Sequence, residues 1–208
     1  MIMSIGADIE FEVIKEGKII EADSIFYSEE CDGSGLQLEL RIDPVYINSI
    51  EDLNFKTILN IMNNFKKELK RYRKYHLNYY QNIYPCGAHI HFTTEEEIFK
   101  KILDAHSMII EPKFFDVFFP YCRYNYCGLG LYRRKNNIDG RFHTEIRTPS
   151  NWVFSSPLNC IIYFTILFQV IRDILQDKLE PEKYVKYFSN FKILEKPKVS
   201  NVIKEWGV

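Results

Sequence analysis

Near the start of this chain of 208 residues, acidic and apolar residues alternate in Asp8-Ile9-Glu10-Phe11-Glu12. In an extended strand, side chains two residues apart point to the same face of a sheet. The three carboxylates would then share one face, while Ile9 and Phe11 pack on a core. The same spacing recurs in His89-Ile90-His91 and in Glu145-Ile146-Arg147. Three strands with a charged face predict a sheet whose concave side binds a metal ion and a charged substrate.

The remaining pattern predicts an α+β fold, because some segments alternate like strands and others have helical spacing. The predicted strands cover residues 1–14, a short segment around Ile19, 24–30, 36–42, 85–93, and a hairpin of 129–133 with 141–147. Proline lacks a backbone N–H, so the strand 36–42 should end at Asp43-Pro44. The predicted helices cover residues 50–75, 95–111 after Thr94 as cap, 157–176 with Pro157 in the first turn, and a shorter segment after Pro181. We expect a mainly antiparallel sheet with a charged concave face and helices packed on its other face.

Length and composition indicate a single domain over residues 1–208. Hydrophobic residues make up 46% of the chain and aromatic residues 15%, which excludes general disorder. A net charge of -1 gives no overall attraction for nucleic acid. The five cysteines are odd in number and form no C-x-x-C pair, which favours free thiols in a reducing cytoplasm. The most apolar run, 160–170, is too short to span a bilayer, and no signal peptide is evident. We therefore expect a cytoplasmic protein with no membrane partner.

Carboxylates clustered on one sheet face predict a cation site, because a bound divalent cation removes their mutual repulsion. Oxygen ligands from several strands, with few histidines, suit Mg²⁺ or Mn²⁺ better than zinc. The candidate ligands are Asp8, Glu10, Glu12, Glu39 and Glu145, with His89 and His91 as further members. Taken singly, each motif also fits a structural role: a solvent-facing strand, a histidine pair satisfied within the sheet, or a surface ion pair.

Arginines are concentrated around the predicted hairpin, at Arg123, Arg133, Arg134, Arg141 and Arg147. Guanidinium groups bind phosphate and carboxylate through two parallel hydrogen bonds. Acidic metal ligands beside a cluster of arginines are typical of a phosphoryl-transfer site. The sequence has neither a P-loop nor a kinase glycine-rich loop, so an ATP site here would be of another kind.

Five short motifs, in order over about residues 4–153, resemble those of the glutamine synthetase and glutamate–cysteine ligase superfamily. Gly6-Ala7-Asp8-Ile9-Glu10 resembles the G-x-E-x-E first strand, and Asp32 with Leu38-Glu39-Leu40 and Pro44 resembles the second element of the small amidoligases. Cys86-Gly87-Ala88-His89-Ile90-His91 is similar to the G-x-H-x-H strand.

The last two motifs resemble segments of the phage-type carboxylate–amine ligases. They are Tyr126-Cys127-Gly128-Leu129-Gly130-Leu131-Tyr132-Arg133 and Glu145-Ile146-Arg147-Thr148-Pro149-Ser150-Asn151-Trp152. The chain departs from the family pattern at Asp8, where many relatives carry Glu, and at Cys127, which replaces a glycine. Residues 154–208, predicted to be largely helical, contain no family motif.

The resemblance implies an ATP-dependent carboxylate–amine ligase, or amidoligase, with a glutamine synthetase-like catalytic domain. ATP would phosphorylate a carboxylate, and an amine would displace phosphate from the acyl phosphate to form an amide. The implied metal ligands, for Mg²⁺ or Mn²⁺, are Asp8, Glu10, Glu39, Glu145 and His89. The implied catalytic residues are Arg147, Glu145 and His91. The implied contacts to nucleotide or substrate are Arg133, Arg123, His89 and Tyr132.

Two other functions stay open at this point. A metal-dependent hydrolase could use His89, His91 and the acidic residues to activate water. A non-catalytic relative could keep the fold as a binding or structural module. For the ligase, the carboxylate and amine could belong to small molecules, peptides or proteins, and a homo-oligomer stays open because some relatives assemble into rings.

Overall fold

A computed structural model describes residues 3–78, 86–112, 132–138, 141–189 and 201–208 of the chain. The described strands are β1 Met3–Lys15, β2 Lys18–Ile20, β3 Leu38–Ile47, β4 His76–Asn78, β5 Ala88–Thr94, β6 Tyr132–Ile138 and β7 Arg141–Ile146. The described α-helices are α1 Phe55–Leu69, α2 Glu96–Ala105, α3 Pro157–Leu175, α4 Pro181–Ser189 and α5 Val202–Glu205. Antiparallel pairing of all strands, together with these helices, confirms the predicted α+β class.

Strand β1 lies at the centre of the sheet and organises it. Its first half pairs with β3 on one side and β5 on the other, and its second half pairs with β2 and β4. Strand β5 then pairs with β7, and β7 with β6. The motif strands β1, β5 and β7 are therefore direct neighbours, so polar residues on one face of each can meet.

The apolar face of the sheet packs against helices. The odd-numbered residues of β1 from Met3 to Val13 are buried, and the Phe11 ring lies 6.2 Å from that of Phe65 in α1. On β5, the ring of Phe92 lies 6.1 Å from that of Phe99 in α2. Burial of these rings is worth about 1.5–3 kcal/mol each. This packing fixes which face of the sheet is left for the charged side chains.

Helix α3 is the longest described helix and closes the core. It starts as predicted, with the Ser156 hydroxyl accepting from the Asn159 N–H at 3.2 Å and Pro157 in the first turn. Within the described residues it is the one helix long and apolar enough to cross a membrane, with a mean hydropathy of 1.6. Half of that segment is buried inside the fold, and Tyr163, Leu167 and Ile171 are fully enclosed. A helix that lies in the core of a fold passes the same length and hydropathy test.

Two strand predictions are wrong. Residues 24–30 contain no strand, because they include parts of the short 3₁₀ helices Ala22–Ser24 and Ser28–Glu30. Local hydrogen bonds hold these turns; for example, the Ser24 hydroxyl donates to the Glu21 carbonyl at 2.6 Å. Strand β3 does not end at Asp43-Pro44 but continues to Ile47. There the two residues 43–44 oppose the single Gly6, forming a bulge. Proline is tolerated because β3 pairs with β1 alone among the described strands.

Helix boundaries also differ from the prediction. The segment 50–75 divides into a 3₁₀ turn at Ile50–Asp52, helix α1, and a 3₁₀ turn at Lys70–Tyr72. Asn54 caps α1 by accepting from the Thr57 N–H at 3.1 Å, which the apolar spacing alone did not indicate. Thr94 is not a helix cap, because it is the buried last residue of β5. Helix α2 begins at Glu96 and continues as a π-helical turn at His106–Ile110.

Candidate metal and phosphate site

The strand register brings the predicted ligands to one face of the sheet, called here the site face. Asp8 lies opposite His89 of β5 and Arg41 of β3, and Glu10 lies opposite Glu39. One step along the sheet, His91 lies opposite Glu145 of β7. Residues that are far apart in the sequence are thus cross-strand neighbours, within reach of one another.

Asp8, His91 and Glu145 form the tightest cluster on the site face. Nε2 of His91 lies 3.0 Å from Oδ2 of Asp8 and 3.7 Å from Oε2 of Glu145. One ligand atom from each residue lies within 4.8 Å of the others. Nε2 of His91 makes no hydrogen bond within the described residues, so its 3.0 Å contact with Asp8 is not one. Two carboxylates and an imidazole that converge in this way fit a shared divalent cation.

Glu145 also anchors the arginines. Its side chain is fully buried, and its Oε1 accepts a hydrogen bond from a terminal guanidinium nitrogen of Arg147 at 2.5 Å. The same oxygen forms an ion pair with Nε of Arg133 at 2.6 Å. A buried carboxylate needs such charged donors to offset its lost hydration. The Arg147 side chain is 15% exposed and that of Arg133 is 55% exposed, so both guanidinium groups can still be reached by an anion from solvent.

Glu10 and His89 form a second cluster, beside the first. Burial raises the pKa of Glu10 to about 7, and the nearby carboxylates of Asp32 and Glu39 contribute to the rise. The Gly87 N–H opposes it, because it donates a hydrogen bond to Oε2 of Glu10 at 2.8 Å. Burial and then the charge of Arg147 lower the pKa of His89 to about 4. Nε2 of His89 lies 3.9 Å from Oε1 of Glu10, too far for a hydrogen bond. A neutral imidazole and a carboxylate that favours a positive neighbour are suitable cation ligands.

Glu39 belongs to this second cluster and not to the first. It lies opposite Glu10, and its Oε1 accepts from Nε of Arg41 at 2.7 Å. Five predicted ligands are therefore divided between two groups that share one face. The first group contains Asp8 and Glu145, together with His91. The second contains Glu10, Glu39 and His89.

Two other predicted residues lie elsewhere, and a third is outside the described residues. Glu12 is fully buried and accepts from Nδ2 of Asn78 at 2.9 Å, so it is part of the interior. Tyr132, the predicted nucleotide or substrate contact, pairs with Ile146, and its ring lies 5.7 Å from that of Phe99 in α2, on the side of the sheet opposite Arg133. Arg123 lies outside the described residues, as does most of the Tyr126–Arg133 motif.

His143 is a residue of the site face that the sequence reasoning missed. Its Nε2 lies 3.3 Å from Nδ1 of His91, on the side of that ring away from the carboxylates. A signal existed, because His143 precedes Glu145 by two residues and so shares its face. Contacts of this kind fix the orientation of a ligating imidazole.

Comparison of the sequence with models of known protein families finds no match. No curated protein shows significant sequence similarity to this chain either.

Proposed function

We propose that this protein is an ATP- and Mg²⁺-dependent carboxylate–amine ligase, an amidoligase related to glutamine synthetase. The observation that supports it most is the convergence of Asp8, Glu10, Glu39 and Glu145 on one sheet face, next to Arg133 and Arg147. Acidic oxygens and guanidinium groups in one site suit a metal-bound nucleotide phosphate. The order of the motifs gives independent support from the sequence.

The residues present fit a divalent cation. Asp8, Glu145 and His91 would hold one ion, because a ligand atom from each lies within 4.8 Å of the others. Glu10 and His89, whose Oε1 and Nε2 lie 3.9 Å apart, would offer further oxygen and imidazole donors beside it. When bound, Mg²⁺ or Mn²⁺ would neutralise the charge of the ATP phosphates. The Glu10 carboxylate favours that arrangement, because burial and the nearby carboxylates raise its pKa and a bound cation would offset both effects.

The proposed reaction has two steps. A carboxylate oxygen attacks the γ-phosphorus of ATP and ADP leaves, which gives an acyl phosphate. The amine nitrogen then attacks the acyl carbon, phosphate leaves with its electron pair, and the amine gives up a proton as the amide forms. Arg147 and Arg133 would hold the phosphoryl oxygens in both steps, with Glu145 fixing their positions.

Nucleotide binding tests this proposal directly. Isothermal titration of the full chain with a non-hydrolysable ATP analogue should show binding with Mg²⁺ and none with EDTA. Glu10→Gln should abolish the metal-dependent part. Glu21→Gln, a change at an exposed position away from the site, should bind like the parent protein. Binding that is absent, or unaffected by Glu10→Gln, would count against the ligase.

Turnover can be tested before the natural substrates are known. Hydroxylamine converts acyl phosphates to hydroxamates, so a panel of carboxylic acids with ATP, Mg²⁺ and hydroxylamine should yield a hydroxamate with one of them. ADP should appear in equal amount. Release of ADP that no carboxylate stimulates would indicate an ATPase and not a ligase.

A second candidate, a metal-dependent hydrolase, is favoured by the histidine in the Asp8–His91–Glu145 cluster. One imidazole with two carboxylates also suits Mn²⁺ or another transition metal that activates water. Elemental analysis of the purified protein separates the two functions. A tightly held transition metal, with hydrolysis in the absence of ATP, would support the hydrolase.

A cytoplasmic location is proposed with this function, since ATP and free thiols belong together in that compartment. Among the described residues, the thiols of Cys31, Cys86 and Cys160 are buried and are not joined in disulfides. Labelling with a thiol reagent after denaturation in a non-reducing buffer should therefore detect all five cysteines of the chain.

A further inference from the structure

Glu145 is shared between the proposed cation site and the arginines. Its Oε2 faces Nε2 of His91 at 3.7 Å, inside the Asp8–His91–Glu145 cluster. Its other oxygen, Oε1, contacts the guanidinium groups of Arg133 and Arg147. Because both oxygens belong to one small carboxylate, a cation bound at Oε2 would lie close to the two guanidinium groups and repel them.

The two arginines differ in their freedom to move away. The side chain of Arg147 is enclosed, and the chain just after it is tied to β5, because the Ala88 N–H donates to the Pro149 carbonyl at 2.8 Å. The side chain of Arg133 is largely exposed, and its strand β6 pairs with β7 alone among the described strands. Repulsion by a cation should therefore displace the Arg133 guanidinium group and leave that of Arg147 in place.

An anion would act on the same contact from the other direction. Arg133 faces Glu145 through Nε, and a guanidinium group has further N–H donors on its two terminal nitrogens. A phosphate group that binds them from solvent offsets the positive charge of Arg133, so more of the negative charge of Glu145 remains for a cation. By thermodynamic linkage, each ligand then raises the affinity for the other by the same factor.

We propose that Arg133 is an exchangeable counter-ion of Glu145, which competes with the cation until a phosphate group takes it. The inference rests on the proposed function and adds the way in which the site couples its cation to its phosphate. Glu145 keeps Arg147 in place throughout and holds Arg133 only until both ligands are bound. A cation or a phosphate alone should therefore bind weakly, and the two together tightly.

Cation binding in the absence of any phosphate tests the competition. Mn²⁺ is titrated into the full chain at low ionic strength, and the free ion is measured by electron paramagnetic resonance. Arg133→Gln removes the competing charge and should tighten Mn²⁺ binding at least about fivefold, the lower end of the range for coupled sites. Arg133→Lys keeps a positive charge beside Glu145 and should bind Mn²⁺ like the parent protein.

Arg134 offers a matched control, because it carries the same charge one position along the strand. It lies opposite Thr144, so its side chain is on the other face of the sheet from Glu145. Arg134→Gln should therefore bind Mn²⁺ like the parent protein. A gain equal to that of Arg133→Gln would show that only the net charge of the region matters, which would overturn the exchange.

Inorganic phosphate tests the coupling between the two ligands. The Mn²⁺ titrations are repeated with phosphate at a concentration that leaves most of the Mn²⁺ uncomplexed in solution. Phosphate should tighten Mn²⁺ binding to the parent protein at least about fivefold. The same addition should change the Mn²⁺ affinity of Arg133→Gln less than about twofold, because the competitor that phosphate removes is already absent.

The outcomes separate this inference from the ligase proposal. If Arg133→Gln binds Mn²⁺ no tighter than the parent protein, or phosphate leaves the parent affinity unchanged, the exchange is wrong, and the ligase stands if Mg²⁺–ATP still binds. If the exchange is observed but Mg²⁺–ATP does not bind, the ligase fails and the coupling belongs to another phosphate ligand. If no variant binds Mn²⁺ with or without phosphate, both are wrong.

Discussion

Glu10 holds a carboxylate in a largely buried position beside other acidic residues. Its side chain is 14% exposed and keeps one strong donor, the Gly87 N–H. Because the pKa of Glu10 rises from 4.5 to about 7, the folded protein binds this proton more tightly than the unfolded chain does. Without a metal, the contribution of Glu10 to the free energy of unfolding is therefore greatest below pH 4.5, the pKa of the unfolded chain. It is lost as the pH rises through about 7, the pKa in the folded protein.

Removing this charge should stabilise the metal-free protein at high pH. Glu10→Gln should raise the free energy of unfolding by on the order of 3 kcal/mol above the folded-state pKa. The gain should vanish at a pH below the unfolded-state pKa, where the parent carboxyl is protonated. Urea denaturation in EDTA at the two extremes measures this. A variant less stable than the parent at high pH would disprove the destabilising role of the charge.

Gly87 is the residue that allows His89 to approach Glu10. A Cβ at Gly87 would lie 2.8 Å from Nε2 of His89 and 3.5 Å from Oε2 of Glu10. Gly87→Ala should therefore turn the His89 ring away and reduce metal-dependent nucleotide affinity about tenfold or more. Gly33→Ala is the matched control, because nothing lies within 4 Å of its added methyl group. Titration calorimetry of both variants makes the comparison, and equal affinities would show that His89 needs no such space.

At the scale of elements, a buried polar network joins the end of α2 to α3. Nδ1 of His106 lies 3.0 Å from Oε1 of Glu111, and its Nε2 lies 3.0 Å from the Tyr163 hydroxyl. All three residues are fully buried. His106 opens the π-helical turn, so this network holds a segment of irregular helix against the core. Helix α2 in turn packs on β5 and β7, two of the three strands that form the first cluster.

Removing the Tyr163 hydroxyl should show how much this network contributes to the free energy of unfolding. Tyr163→Phe leaves His106 without that partner in a dry environment and should cost about 1–3 kcal/mol of stability. Tyr184→Phe removes a hydroxyl that bonds Asp173 at a half-buried position, and should cost less than about 1 kcal/mol. Urea denaturation of the two variants tests the difference. Similar losses would mean that burial does not decide the strength of these bonds.

At the scale of the whole molecule, residues 201–208 pack on the core that supports the site. Nε1 of Trp206 donates to the Phe154 carbonyl at 2.8 Å, and its ring lies 4.8 Å from that of Phe65. Phe154 belongs to the short 3₁₀ turn Asn151–Phe154, and Nδ2 of Asn151 in that turn donates to the Glu10 carbonyl at 3.0 Å. Contacts at the end of the chain thus reach the first strand through one short turn.

Trp206→Ala should destabilise the whole fold by about 3–5 kcal/mol, because it empties a large buried volume. Trp206→Phe keeps a ring and should cost less. Thermal melting measures both losses. At a temperature where each variant is still folded, nucleotide affinity should match the parent protein, since Trp206 touches no ligand. A weakened affinity in a folded variant would show that the end of the chain shapes the site itself.

The local alternation of residues was sufficient to predict much of the fold and part of the site. It indicated β1, β5 and β7, the start of α3, and the face shared by Asp8, Glu10, His89, His91 and Glu145. These features follow from side-chain direction in a single strand or helix, which neighbouring residues determine. The α+β class followed from the order of such elements.

The tertiary structure decided how those strands align. The register of β1, β5 and β7 brings His91 next to Asp8 and Glu145. The pairing of β1 with β3 places Glu39 opposite Glu10, outside that cluster. The bulge at Gly6 carries β3 past Pro44, and the packing of Phe99 sets Tyr132 on the far side of the sheet. Alternation states which side chains share a face, but contacts between distant segments select the partners, because register depends on packing across the whole sheet.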